Sequence, residues 1–409
     1  MSLSFRDAAE ERSRGGMVVT VWSGREARAL RTGLRMTIEA FAEHLGVAVR
    51  TVAKWEAQGP KIVPTAGIQE VLDTALERAT PAQQSRFQLL LQESSVPDER
   101  VNHALEHPAG VDLVTVARLR QRVQDLDKRY DRSPSISLLV ETGQCLGQVA
   151  FLSARATTGV VRRELHAVEA ECATLMGQLV WDASQRRDDA TAHAYFDQAI
   201  DAARLLGDRA AEGLALLRKS FVELYGKRDP KAALRLTTHT AEVTNATSHV
   251  LTGLAVLHAA EAHAMLGDQR DCEQALSTAE THFGRVQATD PAIDLFSPTQ
   301  HGRLAGSCYL FLNKAKRAQL ILEETAGTLR DRSKSQAIVL GNLTLACIRQ
   351  RQVDEAAAML HRALDVVEQT WGGGGLNVAF SAGRELQPWR DIPVVQEAHD
   401  RLLALMAAS

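Results

Sequence analysis

The sequence predicts an all-α protein in which a small helical N-terminal module precedes a long array of helical hairpins. Three observations carry this. Aromatic residues make up 5% of the chain, so packing must lean on Ala, Leu and Val, which suits close-packed helices better than a β-sandwich. Apolar residues recur at helical spacing almost everywhere in the second part of the chain, with few strand-like alternations. A small–large–small signature also returns there, as Ala192/Phe196/Ala199, Ala232/Leu236/His239, Cys272/Leu276/Ala279, Ala318/Leu322/Thr325 and Ala356/Leu360/Ala363. At 409 residues the chain is too long for one simple core, and two or three domains are expected.

Composition excludes several classes. A net charge of −3 gives no global sign of a nucleic-acid or membrane partner. The charge is uneven, however: residues Met17 to Thr65 carry seven Arg/Lys against four Glu. Cys145, Cys172, Cys272, Cys308 and Cys347 show no CxxC pairing, so they read as reduced cytosolic thiols and not as a zinc site. No apolar run approaches the ~20 residues of a membrane span, and MSLSFRDAAEERSRGGM lacks the apolar core of a signal peptide. Residues 1–16 are expected to form a disordered tail, and the chain to be cytoplasmic, in contact with the nucleoid and not with a membrane.

The N-terminal module spans residues 17–79. A first helix is expected over Arg25 to Leu34, with apolar positions Ala27, Leu30 and Leu34. A second starts after the N-cap Thr37 and ends at Gly46, a residue suited to the C-terminal cap. A third, Val49 to Gln58, stops at Gly59-Pro60, and a fourth, Thr65 to Arg78, closes the core with Ile68, Val71, Leu72 and Leu76. Two short helices joined by a Gly-containing turn make a helix-turn-helix.

The run LRTGLRMTIEAFAEHLGVAVRTVAKWEAQG resembles the Cro/repressor-type (XRE) helix-turn-helix, with matches at Leu30, Arg31, Thr37, Phe41, Ala42, Leu45, Gly46, Val47, Thr51, Val52, Trp55, Glu56 and Gly59. The resemblance implies that the third helix enters the DNA major groove. It places Thr37, Val49, Arg50, Thr51, Lys54 and Lys61 against double-stranded DNA, and a partly buried ion pair at Arg31 and Glu56. Three positions depart from the pattern. Ile38 replaces a phosphate-contacting Gln, Ala48 replaces a Ser/Thr cap, and Val49 replaces a polar base reader. Fewer polar contacts follow, with Val49 suited to a thymine methyl and Arg50 to guanine.

Residues 80–110 are polar and broken by Pro81 and Pro97, reading as a short helix (Ala82 to Gln92) and a linker. Residues 111–409 form the body. The signature's starting positions lie 40, 40, 46 and 38 residues apart, and twelve residues before each stands Val180, Ser220, Ala260, Gly306 or Thr344, small in four cases. Two helices must cross closely there. The pattern resembles the tetratricopeptide repeat, stretched beyond its usual ~34-residue period, and implies a right-handed superhelix of hairpins. Helices are also expected at Val111 to Tyr130, Leu138 to Arg155 and Glu164 to Ser184. Gly372 to Gly375 lacks the GxxxxGK[ST] of a phosphate loop and reads as a flexible connection before a capping helix, Pro393 to Met406.

Nothing in the body reads as catalytic. His103 and His107 offer two ligands without the HExxH arrangement, Asp188-Asp189 complement a helix dipole, and no Ser or Cys has a recognisable partner. No catalytic residue, metal or cofactor is assigned. A superhelix does present a concave groove, expected to be lined by Gly177, Trp181, Leu217, Phe221, Leu224, Leu257, Glu261, Arg303, Ser307 and Asn342, a mixture suited to a peptide or an amphipathic small molecule. For Leu217, Phe221 and Leu224 the alternative is burial against a neighbouring hairpin.

An XRE module joined to such repeats resembles peptide-sensing regulators of Gram-positive bacteria and, more closely, regulators of development and secondary metabolism in high-GC filamentous bacteria. TVAKWEAQGPKIVP, ATLMGQLVWDASQRRD and LLRKSFVELYGKRDP carry the second likeness, and Arg far outnumbers Lys. It implies a homodimeric transcriptional regulator that binds operator DNA and senses a peptide or small-molecule effector. The alternative is an interaction scaffold whose repeats recruit a protein and whose small domain does not bind DNA.

Overall fold

A computed structural model of the chain describes residues 22–59, 62–80, 83–87, 99–329 and 333–408. The described residues are helical with no strand, and the chain divides into two compact units, Met1–Asn102 and His103–Ser409. The tail read over residues 1–16 and the side chain of Lys61 lie outside the described residues.

The first unit contains α1 (Gly24–Gly33), α2 (Ile38–Leu45), α3 (Val49–Gln58) and α4 (Ala66–Glu77). Its elements start and stop for local reasons. Ser23 and Glu26 form a capping box at α1, and the Thr37 hydroxyl accepts from the Ala40 amide at α2. Gly46 adopts φ 69°, the left-handed conformation that lets the chain leave α2 and turn into α3. Ala48 caps α3 without a side-chain hydrogen bond. Trp22, Leu30, Phe41, Val52, Trp55, Leu72 and Leu76 are buried together, each large side chain contributing about 1.5–3 kcal/mol relative to exposure. Phe87 belongs to the same core, its ring 5.7 Å from that of Trp22. A helical stretch at 83–87, within the span where a short helix is expected, completes the first unit's core.

The second unit opens with α5 (Leu113–Tyr130) and α6 (Ser135–Ser153). Five hairpins follow: α7 (Gly159–Ala183) with α8 (Asp189–Leu206), α9 (Arg209–Phe221) with α10 (Pro230–Thr244), α11 (His249–Leu266) with α12 (Gln269–Phe283), α13 (Thr299–Phe311) with α14 (Ala315–Thr328), and α15 (Lys334–Arg349) with α16 (Val353–Thr370). α17 (Gly373–Leu386) and α18 (Pro393–Ala408) end the stack. Consecutive helices pack in pairs, giving a tetratricopeptide-like superhelix. Asp188, Asp208, Asp229, Ser248 and Ser333 cap α8, α9, α10, α11 and α15 with their side chains. One helix departs from the sequence reading: α6 has 19 residues and a mean hydropathy of 1.2, long and apolar enough to cross a membrane, although Leu138, Cys145, Val149 and Leu152 are buried within the unit.

Four signatures fill the hairpin interiors as read. In the second hairpin the register differs, because Ala233, Thr237 and Thr240 are buried while Ala232, Leu236 and His239 are only partly covered. The cause is the π-helical turn Val222–Lys227 after α9. A π turn inserts one extra residue, so the buried face comes thirteen residues after Ser220 instead of twelve.

The glycine run is a second correction. Gly373 to Gly375 open α17 and are buried. A Cβ on Gly373 would stand 2.8 Å from the Asp182 carbonyl oxygen, and one on Gly375 2.6 Å from Ala337 Cβ. The absence of side chains lets α17 dock where a flexible connection was expected.

That docking closes the array on itself. Asp182, at the end of α7, accepts from the Gly373 amide (2.8 Å) through one carboxylate oxygen, and from Lys334 Nζ (2.9 Å) and Ser135 Oγ (2.7 Å) through the other. Lys334 N donates to the Asp131 carbonyl (2.9 Å), Lys334 Nζ lies over the Tyr130 ring (3.9 Å), and Asn377 Nδ2 donates to the Gln185 carbonyl (3.3 Å). The helix array thus borders a lumen of about 2190 Å³ that is partly open to solvent.

Candidate functional site

Two surfaces could carry function, one in each unit. In the first, α3 is pinned by Val52 and Trp55, which are buried, while Val49, Arg50, Ala53 and Lys54 face outward. Arg50 and Lys54 make no hydrogen bond or ion pair with the described residues, and Val49 is 45% exposed. Thr51 is half-buried, and Thr37 is exposed with its hydroxyl engaged as the α2 cap. Beneath them, Arg31 Nε and Nη2 both donate to the Glu56 carboxylate, the second at 3.1 Å, and Nη1 donates to the Met36 carbonyl at 2.7 Å. The two side chains are 17% and 12% exposed. This fork ties α1 and the α1–α2 connection to α3, and so fixes the helix that presents Arg50 and Lys54.

In the second unit, Trp181, Leu217, Phe221, Leu224, Glu261, Arg303, Ser307 and Asn342 line the lumen. Leu217 and Leu224 are at the same time buried in hairpin cores, so both readings of these positions hold together. Leu257 does not line the lumen: it is fully buried among Ala260, Leu276 and their neighbours, because it faces the partner helix of its own hairpin. Gly177 likewise faces the hairpin, where a Cβ would meet the Phe196 ring at 2.8 Å.

The lumen also holds groups that the sequence reading passed over, namely Asp182, Arg186, Arg218, Tyr225 and Lys334. A signal existed for two of them. Leu214, Arg218, Phe221 and Tyr225 follow helical spacing and share the face already assigned to Leu217 and Phe221. No local pattern marks Arg186, which reaches the lumen from a left-handed residue (φ 62°) after α7.

At the centre, the Tyr225 hydroxyl lies 3.0 Å from His258 Nδ1 and donates to Glu261, which also accepts from Ser307 Oγ at 2.6 Å. Burial raises the Glu261 carboxyl, but hydrogen bonds and charge from His258, with those from Ser307 and Tyr225, outweigh it and leave the pKa lowered. Burial holds His258 below its ordinary value and pushes the Tyr225 phenol well up. The arrangement is a buried hydrogen-bonded network of phenol, imidazole, hydroxyl and carboxylate. Burial also lowers Arg218 and raises Asp127 beside it.

Elsewhere, His103 and His107 gain a third potential ligand in Glu106, their ligand atoms all within 4.8 Å of one another. All three are exposed, and the two rings stack at 4.6 Å. Asp188 caps α8, and Asp189 accepts from Trp181 Nε1 at 2.9 Å. The five cysteines are free and buried.

No known family's sequence profile matches the chain, and no curated protein matches it. Among solved structures it is similar to a Signal Transduction ATPase with Numerous Domains (STAND) protein with a tetratricopeptide repeat sensor from Pyrococcus horikoshii. The identity is 12% and the TM-score 0.40, and the match covers 100% of this chain and 66% of that one. At that score the likeness adds nothing to what the helix pairs show of the repeat fold.

Proposed function

We propose that the chain is a sequence-specific DNA-binding regulator, acting in the cytoplasm on chromosomal DNA, whose repeat unit mediates dimerisation and senses a ligand. The observation that carries this reading is the outward face of α3. It offers a cation suited to guanine (Arg50), a second cation one turn on (Lys54) and an apolar contact (Val49), none engaged with the described residues. Dimerisation follows from the size of a single module, since two-fold partners commonly read two half-sites about one DNA turn apart. The repeat unit supplies exposed apolar residues for pairing, including Ile136 and Val140 on α6 and Leu403 on α18.

The test is to recover DNA bound to the chain from a genomic library and titrate it by fluorescence anisotropy over a salt series. A recovered sequence motif, with affinity falling log-linearly as salt rises, is the expected result. No enriched motif, or affinity indifferent to salt, overturns the reading. Light scattering on the full chain should give a dimer, and a monomer at working concentration overturns the pairing.

A further inference from the structure

We propose that the lumen of the repeat unit binds an amphipathic organic anion, a flat apolar body bearing a carboxylate, phosphate or sulfonate whose charged end sits among Arg186, Arg218 and Arg303. The three guanidinium groups all line the lumen. Arg186 lies over the Trp181 and Tyr225 rings (4.7 and 5.4 Å to the centroids), and Arg218 lies over Phe221 (5.5 Å). The Phe221, Tyr225 and His258 rings sit within 4.3 to 6.2 Å of one another. Arg303 acts electrostatically on the same Tyr225 and His258, and on Arg218.

The donors here outnumber the acceptors. A guanidinium presents a fork of N–H donors and no acceptor. Arg186 Nε is buried with no hydrogen-bond partner, Arg218 makes no hydrogen bond to the described residues, and Arg303 makes one, from Nη1 to Ser335 Oγ at 3.0 Å. The nearby acids do not fill the gap. Both oxygens of Asp182 are taken by Lys334, Ser135 and Gly373, and both oxygens of Glu261 by Tyr225 and Ser307. Asp127 and Asp131 line the same lumen and act on Arg218 and Arg303 by charge, without a hydrogen bond from any of the three arginines. A buried donor left without an acceptor is destabilising, a penalty that an oxyanion able to take bidentate forks would remove. The aromatic rings and Leu217 supply the surface for a flat apolar body. At about 2190 Å³ the lumen exceeds the ~300–1,000 Å³ of an ordinary small-molecule pocket, so it has room for a large metabolite.

This inference rests on the proposal that the repeat unit takes a ligand. The probes are 1-anilinonaphthalene-8-sulfonate and N-phenyl-1-naphthylamine, the same apolar body with and without the anion, titrated by fluorescence against the full chain. The sulfonate should bind at one site per chain, about tenfold or more tighter than the neutral probe. Arg218→Met and Arg303→Met should each abolish that preference, with the neutral probe's affinity and the helical circular dichroism unchanged. Equal affinity for the two probes in the unsubstituted chain overturns the site without recourse to any variant. So does a preference that survives both substitutions, since it then belongs to surface cations. DNA affinity measured with the sulfonate present separates the two proposals: an anion preference with unaltered DNA binding supports the site and overturns the sensing role. DNA binding with no anion preference overturns the site alone.

Discussion

Arg50 is exposed near the start of α3 and holds no other residue in place, so Arg50→Ala should leave the fold intact and weaken specific DNA binding by about 1–3 kcal/mol. Gel-shift titration at fixed salt checks this, and an unchanged operator affinity refutes the assignment. Glu56 is a different kind of residue. Removing it leaves Arg31 in a mostly covered position with only the Met36 carbonyl as partner. Stranding one member of a buried pair costs ~3–5 kcal/mol, while exposed pairs matter by about 1 kcal/mol or less. At 12–17% exposure, Glu56→Ala should fall between these limits, about 2–3 kcal/mol, read as faster hydrogen exchange of α1–α4 amides in the full chain. A shift near zero would show that the fork adds geometry but no stability. His258 gives a pH prediction. Its folded pKa lies below 6.5 because of burial, so the unfolded chain binds the proton first. The stability it contributes is present above 6.5 and is lost as pH falls through the folded pKa. His193 and His282 are lowered in the same direction. Denaturant midpoints should therefore drop on acidification below 6.5, and less steeply in His258→Gln.

Among the elements, those set by local chemistry were legible in the sequence. α2 and α3 are announced by Thr37, Gly46 and Gly59, and the hairpins by small residues repeating where helices cross. What the sequence hid were features fixed by distant partners. The π turn at Val222–Lys227 shifts α10 by one residue, and no local composition marks it. The glycines at 373–375 look like a loop because the reason for them, Asp182 and Ala337, lies nearly two hundred and about forty residues away in the chain. The site was half legible for the same reason: Trp181, Phe221, Glu261 and Arg303 follow a helical face, while Arg186 and Lys334 enter from helix ends that meet only when the array closes. Gly375→Ala tests the docking of α17. The added methyl would meet Ala337 Cβ, and neither can move without its helix. A loss of about 1–3 kcal/mol by overpacking is expected in a chemical melt, whereas a stabilised variant would mean that helix propensity outweighs the contact.

Over the whole second unit, Asp182 joins residues from four helix termini. Lys334→Met should cost ~3–5 kcal/mol, because the carboxylate would stay buried without its cation, and adding Asp182→Leu should recover part of the loss. Urea midpoints of the two variants decide it; a single variant as stable as the unsubstituted chain would show the pair to be dispensable. The closure also changes how the molecule can come apart. An open stack has two outer hairpins with one neighbour each, so it frays from its ends and its stability is a sum over local interfaces. A hoop has no outer hairpin between α7 and α17. Any hairpin that loosens must release neighbours on both sides, so opening is an all-or-none event, and hydrogen exchange across α7 to α17 should report one shared free energy where an open stack would show a gradient.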